Sequence, residues 1–360
     1  MCDNDSSTDV SSAPYSVGPN ESSTGLQVRR GQPSTDALAG QHLAYPIGHR
    51  YQIRRPLGSG GMATVYLARD SWQCRDVAVK VLHPERACTL AADRFLREIQ
   101  ITASLRHPHI LTLLDSGEVD DVLYYVMTLA DGGSLRDSLR LGRRSTVGET
   151  LPIVQQLASA LQYAHGQGVV HRDIKPGNIL FMRGRPMLTD FGVAIALGAA
   201  SERRLTKSGY SPGTPAYMSP EQARGERDID ARADQYSLAC VVFEILAGEP
   251  PFTGTPQAVM SRHARELPPS VRILRPDVPQ SFEQVLKRAL AKDKEERFES
   301  VDSLMCALLG SVQQQGSPAV SVPLSPARRW YRSSHLGRST SRAGRWVPRW
   351  VQQLLHRPAA

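Results

Sequence analysis

The stretch at residues 234–248, DQYSLACVVFEILAG, is apolar on nearly every side, and this constrains the fold more than any other feature of the chain. A helix with one apolar stripe lies on a surface, whereas one that is apolar all round must be enclosed; the pattern predicts the buried axis of a domain, starting at Asp234 and stopping at Gly248. A second helix is expected over LPIVQQLASALQYAHG, where Val154, Leu157, Ala158 and Leu161 share a stripe. Upstream the period changes. YQIRRPLG, TVYLARD with Val65 and Leu67 alternating, and RDVAVKVL with Val77, Val79 and Val81 on one face read as consecutive strands, which puts Ala78 and Lys80 together on the opposite face. Between these blocks, ADRFLREIQITASL carries Leu96, Ile99 and Ala103 at helical spacing, and VLYYVMTL reads as a buried strand closed by the turn signal DGG. A mainly β segment of about a hundred residues followed by a mainly helical one predicts an α+β protein with two lobes.

Composition sets the limits of this folded part. Of 360 residues, 41% are hydrophobic, ample for a core. Residues 1–48 are rich in Ser, Thr, Gly, Pro and Asn and are expected to be disordered. The folded domain is expected over 49–309, with lobes at 49–130 and 131–309, and residues 310–360 form a basic tail rich in Ser, Pro, Arg and Trp. The net charge of +8 belongs to that tail: its eight arginines face no acid, leaving 35 cations against 35 anions elsewhere. The folded part therefore has no excess positive field, and nucleic acid is not expected as a partner. Five scattered cysteines with no CxxC pair suggest neither a zinc site nor a disulfide framework. With no apolar run of membrane-spanning length and a polar start, MCDNDSSTDVSS, a cytoplasmic location is expected.

Three stretches carry chemistry. The turn LGSGGMATVYLARD provides Gly58-x-Gly60-x-x-Ala63-x-Val65, where glycines let main-chain N–H groups approach an anion, although such a turn can also be a plain hairpin. Lys80 lies within an apolar strand. Burying its ammonium requires a carboxylate, for which Glu98 is the candidate, unless the side chain snorkels from an edge strand. HRDIKPGN at 171–178 sets an imidazole, two cations, a carboxylate and a carboxamide around a proline, and is followed by TDFG at 189–192 and SPE at 219–221.

The ordered set of GxGxxA, VAVK, Glu98, HRDIKPGN, DFG and SPE resembles the eukaryotic-like (Hanks-type) protein kinases, and within them the bacterial serine/threonine kinases, over roughly residues 51–309. The resemblance implies a bilobal fold, with a β-rich N-terminal lobe holding one key helix and a mainly α-helical C-terminal lobe. It also implies an active non-specific serine/threonine protein kinase using ATP with Mg²⁺, or Mn²⁺ in its place. Asp173 would take or orient the proton of the acceptor hydroxyl, and Lys175 would face the γ-phosphate. Lys80, paired with Glu98, would hold the α- and β-phosphates, while Asn178 and Asp190 would hold the metal. Leu57, Gly58, Ser59, Gly60, Gly61, Met62, Ala63 and Val65 would cover the nucleotide. Adenine would sit between Val65 and Ala78 above and Leu180 below, with its polar edge at the backbone of Thr128 and Ala130, just after the gatekeeper Met127. Glu221 is expected to pair with Arg297, and Asp234 to brace the HRD turn.

Ala63 in place of the third loop glycine and Ser219 in place of the alanine of APE depart from the family pattern without removing a charge that catalysis needs. The rival reading is a pseudokinase acting as a nucleotide-binding or scaffolding module; a small-molecule kinase is disfavoured by the long DFG-to-SPE segment. The resemblance further implies protein substrates, autophosphorylation at Thr206 and Ser208, and a homodimer for reaction in trans, with Thr214 contacting the catalytic loop. In the tail, RWVPRWVQQLLHR sets Val347, Trp350, Val351, Leu354 and Leu355 at helical spacing beside arginines. An anionic membrane surface, docking on the kinase domain, and disorder are its alternative fates.

Overall fold

In the computed structural model, which describes residues 46–47, 49–60, 63–83, 99, 102–119, 122–191 and 215–313, the alternating segments build a six-stranded antiparallel sheet. Its strands are β1 (Pro46–Ile47), β2 (Tyr51–Ser59), β3 (Ala63–Asp70), β4 (Arg75–Leu82), β5 (Leu113–Val119) and β6 (Val122–Thr128), in the order β1-β2-β3-β4-β6-β5. β1 lies inside the segment expected to be disordered; it forms because the edge of β2 offers main-chain partners, with Ile47 opposite Tyr51. The period-2 pattern has its expected consequence. Val77, Val79 and Val81 pack on one face with Tyr51, Ala68 and Val126, while Ala78 and Leu82 pack on the other with Ala63, Leu123, Tyr125 and Met127. At the far end of β3, Arg50 binds Asp70 through two nitrogens at 3.0 and 2.9 Å, and its guanidinium stacks on exposed Trp72.

Beyond β6 the chain is helical. α1 (Leu135–Arg140) and α2 (Val147–Gly166) both begin with capping boxes, Ser134 with Asp137 and Thr146 with Glu149, which supply partners for main-chain N–H groups that a helix start leaves unbonded. A hairpin, β7 (Ile179–Met182) with β8 (Arg185–Leu188), lies between α2 and the remaining helices. The apolar segment forms α4 (Ala231–Ala247), after the short α3 (Pro220–Ala223). Leu238, Val241, Val242, Phe243, Ile245 and Leu246 in α4 are all buried, each contributing about 1.5–3 kcal/mol. The helix starts three residues before Asp234, because Asp230 caps it through the N–H of Arg232; Asp234 falls in the first turn. It stops at Gly248, whose φ of +90° is left-handed and suits a residue without Cβ. α6 (Gln280–Ala289) and α7 (Val301–Gln313) complete the core around it, and α5 (Pro256–Arg265) meets it where His263 Nδ1 lies 2.9 Å from Tyr236 Oη. Among the described residues no helix is long and apolar enough to cross a membrane.

Two sets of backbone contacts tie the sheet to the helical part. Leu111 N–H donates to the carbonyl of Leu188, and Leu188 N–H to that of His109, each at 2.8 Å. After β6, Gly132 N–H donates to the carbonyl of Phe181 at 2.8 Å, an approach so close that a Cβ at 132 would stand 2.7 Å from that of Phe181.

Candidate active site

The register of the sheet sets the roof. Lys80 lies opposite Val65 on β3 and Tyr125 on β6, so the three side chains share the inner face. Its ammonium bonds Oδ2 of Asp190 at 2.6 Å, with both side chains mostly shielded from water. This is a carboxylate of the kind a lysine in that position requires. Glu98 lies outside the described residues, as do Gly61 and Met62 of the loop, Thr214, and the phosphorylation candidates Thr206 and Ser208.

Asp190 is the junction of the site. Its backbone takes a φ of +68°, which aspartate tolerates better than most residues. Tyr125 Oη donates to its Oδ1 at 2.5 Å. Burial alone would raise the pKa of Asp190, but the charge and hydrogen bond of Lys80, joined by that of Tyr125, outweigh it and hold the carboxyl below the ordinary value of 3.8. Burial, followed by the charge of Asp190, pushes the Tyr125 hydroxyl well above its ordinary range, so it stays a donor.

The floor is the HRDIKPGN turn. Lys175 Nζ donates to Oδ2 of Asp173 at 2.6 Å, and Asn178 Nδ2 donates to the same oxygen at 3.0 Å and to the carbonyl of Asp173 at 2.8 Å. With its amide nitrogen committed to Asp173, Asn178 has its amide oxygen left for a cation. The turn is built from beneath. Asp234 Oδ1 accepts from the N–H of Arg172 at 2.7 Å, and its Oδ2 accepts from the N–H of His171 at 2.8 Å and meets His165 Nε2 at 2.7 Å. These bonds hold Arg172 at a φ of +65°, a conformation a long side chain seldom adopts. Buried His171 uses both ring nitrogens: Nδ1 accepts from Asp173 N–H at 3.3 Å, which leaves Nε2–H to donate to the carbonyl of Thr189 at 3.0 Å. Its ring also packs on Phe191, with centroids 4.4 Å apart.

Ala63, Val65, Ala78, Met127 and Leu180 gather in one apolar cluster, as an adenine slot needs, joined by Leu129, Met182 and Met187. Thr189 Oγ1 lies 3.6 Å from the sulfur of Met127. Thr128 N–H is committed to the carbonyl of Thr112 at 3.1 Å, so of its two main-chain groups the carbonyl is the one for a ligand; Ala130, two residues on, is half-buried. Leu57 is 41% exposed, Ser59 bonds Thr64, and Gly60 N–H donates to the carbonyl of Ala63. A Cβ at Gly58 would meet nothing within 4 Å, so the turn leaves open space beside its backbone. Tyr125, His165, Thr189 and Met187 are the site residues sequence reasoning did not single out.

An antiparallel sheet and a helical lobe, joined across the cleft by Lys80 and Asp190, define the bilobal kinase architecture. Residues 51–307 match the protein kinase domain family, and the chain belongs to that family. It is 41% identical over 265 residues to a probable serine/threonine-protein kinase of Streptomyces coelicolor, covering 72% of this chain and 39% of that protein. It is 40% identical over 276 residues to the serine/threonine-protein kinase PknB of Mycobacterium tuberculosis, covering 73% and 43%. Among solved structures, the kinase domain of Mycobacterium tuberculosis PknI is similar at a TM-score of 0.61 and 33% identity, over 76% of this chain and 100% of that one. The chain spans less than half the length of these full-length relatives. Their names lend no support to a pseudokinase.

Proposed function

We propose that this chain is a serine/threonine protein kinase that transfers the γ-phosphoryl group of ATP to Ser and Thr hydroxyls of proteins. The observation that carries the reading is the convergence of Lys80 from the roof with Asp190, Asp173, Lys175 and Asn178 from the opposite side of the cleft, five groups bound to one another in two sets. Phosphoryl transfer calls for charge neutralisation and alignment rather than elaborate covalent chemistry, and these are the residue types that supply both.

In this reading Lys80 leaves Asp190 for the α- and β-phosphates, or shares it with Glu98, and Lys175 faces the γ-phosphate. The acceptor oxygen attacks the γ-phosphorus, the bond to the bridging β-phosphate oxygen breaks with its electron pair leaving on ADP, and the hydroxyl proton passes to Asp173. A carboxylate and an amide oxygen are hard ligands suited to Mg²⁺, which keeps further positions for phosphate and water; Mn²⁺ fits the same donors. Asp190 and Asn178 would hold that cation, which neutralises phosphate charge when bound. Leu57, Gly58, Ser59, Gly60, Gly61, Met62 and Ala63 would cover the phosphates, and Val65, Ala78, Met127 and Leu180 would enclose adenine against the backbone of Thr128 and Ala130.

The proposed kinase domain runs over 49–309, flanked by 1–48 and the tail 310–360. A cytoplasmic setting, a homodimer for autophosphorylation in trans, and contact of the tail with an anionic membrane complete the reading. Mass spectrometry of the protein after incubation with Mg-ATP tests it: phosphate is expected on Ser and Thr, and none in Asp173→Asn or Lys80→Met with the fold retained. Full activity in either variant overturns the assignment. Vesicle co-sedimentation tests the tail: full-length protein is expected to pellet with anionic liposomes more than a chain truncated after Gly310.

A further inference from the structure

β6 contains two adjacent tyrosines that the strand turns to opposite faces. Tyr124 packs against the outer cluster with Tyr51, while Tyr125, only 2% exposed, lies in the inner cluster between Leu123 and Met127. Phenylalanine would fill the same volume. A buried hydroxyl adds a desolvation cost unless it is bonded, and this one donates to Asp190 Oδ1 at 2.5 Å. The other oxygen of Asp190 accepts from Lys80 at 2.6 Å, and the Lys80 ammonium lies 5.6 Å from the centre of the Tyr125 ring. The carboxylate is thus gripped on both oxygens while its backbone is held at a φ of +68°.

We infer that Tyr125 is a positioning residue for Asp190, fixing the carboxylate in the orientation that receives the divalent cation. The inference rests on the reading of Asp190 as a cation ligand. Each carboxylate oxygen has two lone-pair directions, so Oδ1 can keep the phenol while it accepts a cation. Donors that orient a ligating carboxylate from behind typically account for 10–100-fold of metal affinity or activity.

The test measures ATP binding to the full chain by calorimetry, once with Mg²⁺ and once with chelator, and takes the ratio of the two affinities. Tyr125→Phe is expected to lower that ratio about tenfold while metal-free affinity stays at its wild-type value and the thermal midpoint falls by only a few degrees, as loss of one hydrogen bond gives. In autophosphorylation the same variant should need more Mg²⁺ for half-maximal rate and recover the wild-type rate when Mg²⁺ saturates. An unchanged ratio, or an equal loss with and without Mg²⁺ as a packing defect would give, overturns the inference. Asp190→Asn separates the two readings. It is expected to abolish the ratio, and if it does so while Tyr125→Phe does not, the positioning role alone fails. If Asp190→Asn keeps the ratio, the cation reading of Asp190 falls first.

Discussion

Glu221 and Arg297, 76 residues apart, meet in a two-pronged ion pair that excludes water: Nη1 donates to Oε1 at 2.8 Å and Nη2 to Oε2 at 2.7 Å. Arg297 also reaches the carbonyls of Ala291 and Arg232, joining α3 to the start of α4 and the segment before α7. Removing one partner strands a buried charge, so Arg297→Met should cost about 3–5 kcal/mol in urea unfolding, and Glu221→Leu with Arg297→Met should recover much of it. Burial raises the pKa of Glu221, but the hydrogen bonds and charge of Arg297 more than reverse this, leaving it below the ordinary 4.5. A carboxyl depressed on folding contributes stability that is complete above about pH 4.5 and is lost as pH falls through the folded value. The urea midpoint should therefore drop in acid less steeply for the double variant than for wild type.

Among the described residues, Asp234 reaches the HRDIKPGN turn through main-chain hydrogen bonds from His171 and Arg172 and also binds His165. Asn in its place keeps one acceptor oxygen but turns an amide donor toward a group that also donates. Asp234→Asn is expected to lower kcat about 100-fold, the scale of a misplaced catalytic group, with the KM for ATP largely kept. Steady-state kinetics on a peptide substrate would check the split; an unchanged kcat would contradict the bracing role.

Lys292 is half-buried against the helical lobe, its ammonium 3.1 Å from Tyr236 Oη and 4.7 Å from the centre of the Phe252 ring. Burial lowers its pKa from 10.5 to about 8. The unfolded chain then binds more protons than the folded one between these values, so stability rises with pH across that window. Lys292→Met should melt higher than wild type at neutral pH, with a difference that shrinks as pH climbs from 8 to 10.5. Thermal scans across that range decide it.

The proposed phosphorylation of the DFG-to-SPE segment has a physical rationale in Arg172. Its Nη2 bonds the carbonyl of Ile229 at 3.2 Å, whereas its Nε is buried without a partner among the described residues. A phosphate on Thr206 or Ser208 would offer that guanidinium an anion. Thr206→Ala with Ser208→Ala should slow peptide phosphorylation and remove phosphate from the segment, and a wild-type initial rate would count against it.

Period 2 made the sheet legible down to the face of Lys80, because β4 and β6 each pack one side into the inner cluster and the other into the outer one. The start of α4 was less legible, since Asp230 and Asp234 are both competent caps and only the folded backbone chooses between them. Glu221 with Arg297 could be expected from the family resemblance. Tyr125 could not, because alternation shows that it faces inward but not that a carboxylate 65 residues later waits for its hydroxyl. His165 was hidden for the same reason: at the end of a helix, a histidine is an ordinary residue until Asp234 arrives beside it.

The stacking of Arg50 on Trp72 has a spectroscopic consequence. The other three tryptophans, Trp330, Trp346 and Trp350, belong to the tail, so the stretch from 73 to 329 contains none. Indole fluorescence will therefore register the β3–β4 turn and the tail while remaining nearly blind to the helical core. A melt followed by that signal should report the loosening of a surface stack, and circular dichroism should show the cooperative loss of helix as a separate event.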